Sequence, residues 1–276
     1  MPPSATGAAV PVHVEPIRAF NDNYIWCIRA GSAAVVVDPG EAAPVLVAAA
    51  QQALRLTGIL LTHHHNDHIG GVAELIAACG PLPVYGPRDP RVTGAPVIAV
   101  GDGDRVELAG LASEGQPAPV LQVLEVPGHT SSHIAFHGEL GGEHVLFSGD
   151  TLFSIGCGRM FEGTAGQMSA SLDRLAALPG DSRVYCGHEY TRANIAFARA
   201  VEPDNPDLLA WSEVTEGLLA AGRPTLPSLL ATERLANPFL RCRIPSVARS
   251  AAAHAGHELA GPVEVFAELR AWKNTF

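Results

Sequence analysis

Short apolar runs with strand character fill the first two thirds of the chain, and helical spacing takes over in the last third. From Asn23 to Asp38, two runs rich in β-branched residues (YIWCI and AVVVDPG), broken at Gly31-Ser32, predict paired strands. Ala42–Leu56, rich in Ala, Leu and Val, predicts a helix. Gly58–Thr62 predicts a short buried strand running straight into His63, and Gly70–Cys79 the next helix. Further strands are expected at Pro83–Tyr85, Val97–Val100 and Arg105–Leu108, with the turn Gly101–Asp104 before the last. Val120–Val126, Ser132–Phe136 and His144–Ser148 continue the strands, followed by helix Gln167–Leu178 and strand Arg183–Tyr185. Beyond His188 come helices at Thr191–Glu202 and Asp207–Ala221, a proline-punctuated loop at Arg223–Pro227, and more helix to the C-terminus. The expected fold class is therefore α/β, a sandwich with a C-terminal helical domain. The boundary falls at His188, giving residues 1–188 and 189–276.

Composition narrows the function classes. The 276 residues, 47% hydrophobic, suffice for a substantial core, and no apolar run approaches the ~20 residues of a membrane helix. Met1 to Val10 lacks a basic segment followed by an apolar one, so no export signal is expected. Five scattered cysteines without a C-x-x-C pair argue against a disulfide framework or a thiolate zinc site and suit a reducing cytoplasm. A net charge of −10 with no basic block argues against nucleic acid as a partner, though an anionic small molecule remains compatible if basic residues surround its site. No membrane partner and a monomer are expected.

The histidines carry the chemistry. Thr62-His63-His64-His65-Asn66-Asp67-His68 contains the spacing His-x-His-x-Asp-His, and neutral imidazoles with a carboxylate suit borderline divalent metals. Positions 63 and 65 leave an extended loop on one side, while Asp67 and His68 turn toward a second point. A surface His tract is the plainer alternative, but these residues end an apolar strand and precede Gly70-Gly71 and a helix. Three later segments repeat one pattern of apolar strand, glycine and ligand-type residue: Pro127-Gly128-His129-Thr130, Ser148-Gly149-Asp150-Thr151, and Cys186-Gly187-His188-Glu189. A lone instance reads as a cap or turn residue; three after a His-x-His-x-Asp-His segment are specific together.

The set His63, His65, Asp67, His68, His129, Asp150 and His188 resembles the signature of the metallo-β-lactamase superfamily. That resemblance implies a four-layer αββα sandwich with two metal ions at one edge of its sheets. One ion falls to His63, His65 and His129, the other to Asp67, His68 and His188, with Asp150 bridging. Asn21-Asp22-Asn23-Tyr24, Cys157-Gly158-Arg159, Glu162-Gly163-Thr164, Gly187-His188-Glu189-Tyr190-Thr191, Asn237-Pro238-Phe239-Leu240-Arg241 and the end Leu269 to Phe276 further resemble the glyoxalase II (hydroxyacylglutathione hydrolase) branch. These matches run from about residue 15 to the end. They imply a glutathione site formed by Arg159, Phe161, Tyr190, Arg270 and Lys273, which complement the two carboxylates of glutathione. Without that resemblance, Arg270 and Lys273 read rather as the ordinary cationic end of a helix. Phe161 stands where some members carry Tyr, so a hydroxyl contact to glutathione is missing and weaker or relaxed binding is expected.

The reaction implied is hydrolysis of S-(2-hydroxyacyl)glutathione, chiefly S-D-lactoylglutathione, to D-lactate and glutathione by attack of a metal-bound hydroxide. Asp67 and Asp150 are the expected catalytic carboxylates, and the ions are expected to be zinc, with iron or manganese as alternatives. His64, Ser131, Thr151 and Glu189 are candidate supports for the ligands, while His13, His133, His137, His144, His254 and His257 read as structural or surface residues. The runner-up is a broader-specificity thioesterase or lactonase of the same fold. A one-iron persulfide dioxygenase fits less well, because that branch lacks the match at Gly187–Thr191 and the helical C-terminus. A metal-binding protein with a dead site is disfavoured because all seven ligands are kept.

Overall fold

The computed structural model describes residues 10–113 and 115–276. Most of the stretch read for an export signal, residues 1–9, lies outside them. Strands β1 (Val12–Ala19), β2 (Asn23–Ala30) and β3 (Ala33–Val37) form an antiparallel meander. Helix α1 (Ala42–Gln52) crosses to β4 (Arg55–Leu60), parallel to β3. The single-turn helix α2 (Asn66–Ile69) and helix α3 (Val72–Cys79) lead to β5 (Val84–Pro87) and β6 (Ile98–Val100), which complete a six-stranded sheet in order β1 to β6.

The second sheet begins with β7 (Arg105–Glu107), β8 (Val120–Glu125), β9 (Ile134–Leu140) and β10 (Glu143–Gly149), all antiparallel neighbours. A small hairpin, β11 (Leu152–Phe153) and β12 (Gly156–Cys157), precedes α4 (Ala165–Ala176) and β13 (Arg183–Cys186), which lies parallel to β10. Helices α5 (Thr191–Val201) and α6 (Pro206–Ala220) lead to β14 (Ser228–Leu229), the last strand of this sheet beyond β13. Helices α7 (Leu230–Ala236), α8 (Pro245–Ala255) and α9 (Pro262–Thr275) finish the chain.

The inner faces of the two sheets meet over one core, with Trp26, Val35 and Leu60 from the first and Leu121, Phe136 and Phe147 from the second. Fully burying side chains of this size stabilises by about 1.5–3 kcal/mol each. Trp26 satisfies its indole N–H on the Cys186 carbonyl at 2.9 Å, tying β2 to the end of β13. The outer face of the first sheet packs Ile59, Val36 and Val84 under Val45 of α1 and Leu75 of α3. On the outer face of the second, Leu146 and Val184 meet Leu172 of α4, Val247 of α8, and Phe266 and Leu269 of α9. The result is an αββα sandwich whose fourth layer is completed by the C-terminal helices. Local signals set the helix starts: Thr164 and Gln167 form a capping box on α4, and the Asn205 side chain accepts the first N–H groups of α6.

Several expectations shift. The helix expected over Ala42–Leu56 ends at Gln52, where Ala53 takes a left-handed φ of 52°, and Arg55 already begins β4. The segment expected as plain loop after His65 contains α2, which carries Asp67 and His68 on one turn. Strands β1, β11, β12 and β14 had no counterpart in the pattern reading. Among the described residues no helix is long and apolar enough to cross a membrane.

Candidate metal centre

Four loops at strand ends converge on one point. His63 and His65 follow β4, His129 follows β8, Asp150 follows β10 and His188 follows β13. Backbone bonds clamp these ends together: Ile134 N donates to Thr62 O at 3.0 Å, Gly187 N to Gly149 O at 3.0 Å, and Tyr24 N to Gly187 O at 2.8 Å. A side chain at Gly187 would place its Cβ 2.6 Å from Asp150 Oδ1 and 2.7 Å from His68 Cε1, so only glycine lets this strand end approach the ligands.

The hydrogen-bond network fixes which ring nitrogens carry protons. The Thr62 hydroxyl donates to Asp38 Oδ2 at 2.7 Å, so His63 Nδ1 donates to the Thr62 oxygen at 3.0 Å. His68 Nδ1 donates to Asp38 Oδ2 at 3.0 Å, His129 Nδ1 to the Arg159 carbonyl at 2.8 Å, and His188 Nδ1 to Asp22 Oδ1 at 2.8 Å. Each leaves its Nε2 lone pair facing inward, the arrangement that metal-ligating histidines use.

Those lone pairs form two groups. His63 Nε2 lies 3.1 Å and His129 Nε2 lies 3.0 Å from His65 Nδ1. Asp67 Oδ2 lies 3.6 Å from His68 Nε2 and 3.4 Å from His188 Nε2. Asp150 stands between them, with Oδ2 3.5 Å from His129 Nε2 and 3.3 Å from His188 Nε2, and Oδ1 3.4 Å from His68 Nε2. His68 Nε2 and Asp150 Oδ1 are buried without a hydrogen-bond partner. Lone pairs that face one another at such distances repel unless a cation separates them, and borderline divalent ions prefer imidazole and carboxylate donors. The residues present fit two such ions.

Electrostatics agrees. Burial, helped by the neighbouring His68, holds His63 well below its ordinary pKa, and burial takes His65 down to about 4. At the second group burial also opposes charge, but Asp150 outweighs it, lifting His68 well above its ordinary value and His188 to about 10. Burial pulls Asp67 and Asp150 upward, yet His188 and His68 hold both carboxyls below the usual range. The carboxylates demand positive charge here, and divalent ions would meet that demand in place of protons on His68 and His188.

A cavity of about 510 Å³ opens beside this centre, lined by His129 and Asp150 together with Arg159, Arg270 and Lys273. Phe161, 64% exposed, turns its ring edge-on to His65 and His129 with centroids 5.5 and 5.3 Å away. Tyr190 stacks on His188 at 4.7 Å with the rings 6° from parallel. Arg270 is not an exposed helix-end cation. It is 3% exposed, donates Nη1 to Cys157 O at 2.8 Å, lies over the Phe239 ring, and leaves Nε unpaired. Lys273 lies 5.0 Å from the Phe197 ring centre. All five residues expected to bind substrate line this one cavity.

The candidate supports differ from the observed ones. His64 sits between Asp89 and Glu162, Ser131 donates to Glu162, and Glu189 accepts from Tyr24 and Thr225, so none of these hydrogen-bonds a ligand side chain. Thr151 contacts His133. The histidines are held instead by Asp38, Asp22, Thr62 and the Arg159 carbonyl, and Asp67 by the Asn23 side chain. Asp38 and Asp22 lie 30 and 166 positions from the histidines they orient, a separation no local motif reveals.

Residues 19–188 match the model of the metallo-beta-lactamase superfamily, and residues 189–276 match that of the hydroxyacylglutathione hydrolase C-terminus. Hydroxyacylglutathione hydrolase of Cupriavidus taiwanensis is 54% identical over 95% of this chain and 98% of its own length. The protein of that name from Nitrosomonas eutropha is 48% identical over 96% of this chain and 99% of its own. Among solved structures, ETHE1 from Myxococcus xanthus superposes with a TM-score of 0.58 and 28% identity, covering 82% of this chain and 83% of its own. TTHA1623 in a di-iron-bound form gives 0.52 and 32% identity, covering 63% of this chain and 92% of its own.

Proposed function

The chain belongs to the hydroxyacylglutathione hydrolase family of the metallo-β-lactamase superfamily, and from this we propose that it hydrolyses S-(2-hydroxyacyl)glutathione, S-D-lactoylglutathione foremost, to a 2-hydroxy acid and glutathione. The observation that carries the reading is one cavity lined both by His129 and Asp150 of the ligand cluster and by Arg159, Arg270 and Lys273. Arg270 is decisive within it, because a buried guanidinium with an unpaired Nε calls for an anionic partner. Glutathione carries two carboxylates, and Arg159 and Lys273 stand beside Arg270 to take them. Residues 1–188 supply the metal ligands on this reading, and residues 189–276 supply Tyr190, Arg270 and Lys273.

His63, His65 and His129 would hold one divalent ion and Asp67, His68 and His188 the other, with Asp150 available to both. When bound, the ions supply a water acidic enough to ionise near neutral pH and a Lewis acid for the carbonyl oxygen. Zinc fits this donor set, with iron or manganese as alternatives. Asp67 is half-exposed, and Asn23 Nδ2 donates to its Oδ2 at 3.2 Å, so its carboxylate is held in one orientation. From there it accepts a hydrogen bond from the attacking water and aims a lone pair at the thioester carbon. Arg159, Arg270 and Lys273 fix the glutathione moiety so that the carbonyl presents itself to that water. The C–S bond breaks with the electron pair on sulfur. The departing thiolate is a weak base, its thiol having a pKa of roughly 8.5, so no dedicated general acid is required.

Five cysteines without a disulfide, four of them buried, suit a cytoplasmic setting. The test of substrate class is a panel of S-D-lactoylglutathione, a simple aryl thioester without glutathione, and a lactone. A kcat/KM for S-D-lactoylglutathione well above the other two supports the reading. Preference for the lactone or the plain thioester points to the broader hydrolase instead.

A further inference from the structure

His133 is fully buried behind the metal centre, is no ligand, and touches three of the ligand-bearing segments at once. Its ring stacks on His63 with centroids 4.6 Å apart and planes 21° from parallel. Its Nε2 accepts the backbone N–H of Asp150 at 3.1 Å. Its carbonyl accepts Val126 N–H at 2.8 Å, just before the turn that carries His129. A backbone N–H only donates, so Nε2 must be unprotonated and Nδ1 carries the hydrogen. Nδ1 faces Thr151 Oγ1 at 3.3 Å, and that hydroxyl in turn reaches the Val126 carbonyl at 3.4 Å. The chain of bonds thus runs from Asp150 through one imidazole to the strand end that precedes His129.

The backbone at this point needs such a hold. Gly149 turns with φ of 48°, and a Cβ there would lie 2.4 Å from Thr62 Oγ1 and 2.8 Å from the His133 ring. The imidazole therefore fills the space that a residue at 149 leaves open. It fixes the direction in which the chain delivers Asp150.

We infer that His133 is a positioning residue: its Nε2, as acceptor for the Asp150 N–H, sets the Asp150 carboxylate between the two metal groups. This rests on the bimetal reading above. Supports of this kind are worth roughly 10–100-fold in metal affinity.

The experiment compares wild type, His133→Gln and His133→Phe in holoenzyme form, measuring metal retention against a chromophoric chelator and folding by circular dichroism. Gln offers an acceptor where Nε2 lies but no ring to stack; Phe keeps the ring and loses the acceptor. Positioning by hydrogen bond predicts near wild-type retention in His133→Gln and a loss of about 10-fold or more in His133→Phe. The reverse order, or equal retention in all three folded proteins, overturns the inference and leaves His133 a packing residue. If His133→Phe does not fold, His133→Gln decides alone, because weak retention by that folded variant is then the overturning result. A wild type that holds no metal removes the bimetal reading itself, and the role of His133 falls with it.

Discussion

Asp22 Oδ1 accepts the Nδ1–H of His188 at 2.8 Å, so the first turn of the fold orients a ligand that the chain reaches 166 positions later. The same turn sends Asn23 Nδ2 to Asp67 Oδ2 and receives Glu189 N–H on the Asp22 carbonyl at 2.8 Å. Asp22→Asn keeps the shape and can present an amide N–H where an acceptor is needed. It is expected to lower the affinity of the Asp67/His68/His188 group by about 10-fold or more, with the other group little changed. Metal stoichiometry during stepwise chelation checks this, and loss of both ions together would count against two separable groups.

Phe161 stands exposed at the cavity beside His65 and His129 without a hydroxyl to offer. Phe161→Tyr is expected to lower KM for S-D-lactoylglutathione by about 2- to 10-fold, the worth of one added hydrogen bond, with kcat little altered. An unchanged KM shows that this position does not touch the glutathione moiety.

Lys273 carries a charge that burial, and then Arg270 beside it, make costly, bringing its ammonium down to about 8. It is cationic below that pH and neutral above it, so binding of an anionic ligand is expected to weaken as pH rises through about 8. The inhibition constant of S-methylglutathione, whose sulfur cannot ionise, reads this directly. Lys273→Arg, charged throughout, is expected to flatten the rise. Identical pH profiles in both proteins exclude Lys273 as a ligand contact.

Glu233 on α7 is fully buried, its Oε2 accepting from Ile155 N at 2.7 Å and Asn237 Nδ2 at 3.0 Å, and so holds the β11–β12 hairpin against the helices. Burial pushes its carboxyl up from 4.5 to about 7, against the pull of the Ser228 hydroxyl and the Ile155 N–H. A carboxyl raised in the folded state favours folding while protonated. Its contribution is complete below the unfolded pKa and is lost as pH rises through about 7. Glu233→Gln is expected to gain on wild type between pH 5 and pH 8, by up to roughly 3 kcal/mol. Thermal unfolding of both proteins at the two pH values decides it; a constant difference in Tm shows that Glu233 does not titrate in this range.

That the site's histidines and aspartates converge was legible in sequence because metal chemistry limits the residue types, and because each of the four segments follows an apolar strand, three of them through a glycine. The sandwich was legible for a related reason: strands buried on both faces, such as Val35–Val37 and Val145–Phe147, appear as unbroken apolar runs. Strand β1 was not, since Val12–Ala19 lies at a sheet edge, alternates exposed with half-buried positions and contains Pro16. The end of α1 at Ala53 was missed because no glycine marks its left-handed turn. Asp38 and His133 escaped for a different reason. Asp38 was read only as the end of the strand run AVVVDPG, and His133 as a structural or surface histidine. Only the fold shows that one orients His68 while the other accepts from Asp150.

The measurement that bears most directly on the whole reading is hydrolysis of S-D-lactoylglutathione by purified protein, followed at the thioester absorbance, with metal content determined on the same sample. Two ions per chain are expected, with turnover that is lost on chelation and in Asp150→Ala. Turnover that survives removal of the metal, or none from protein holding two ions, contradicts a dinuclear glutathione thioesterase.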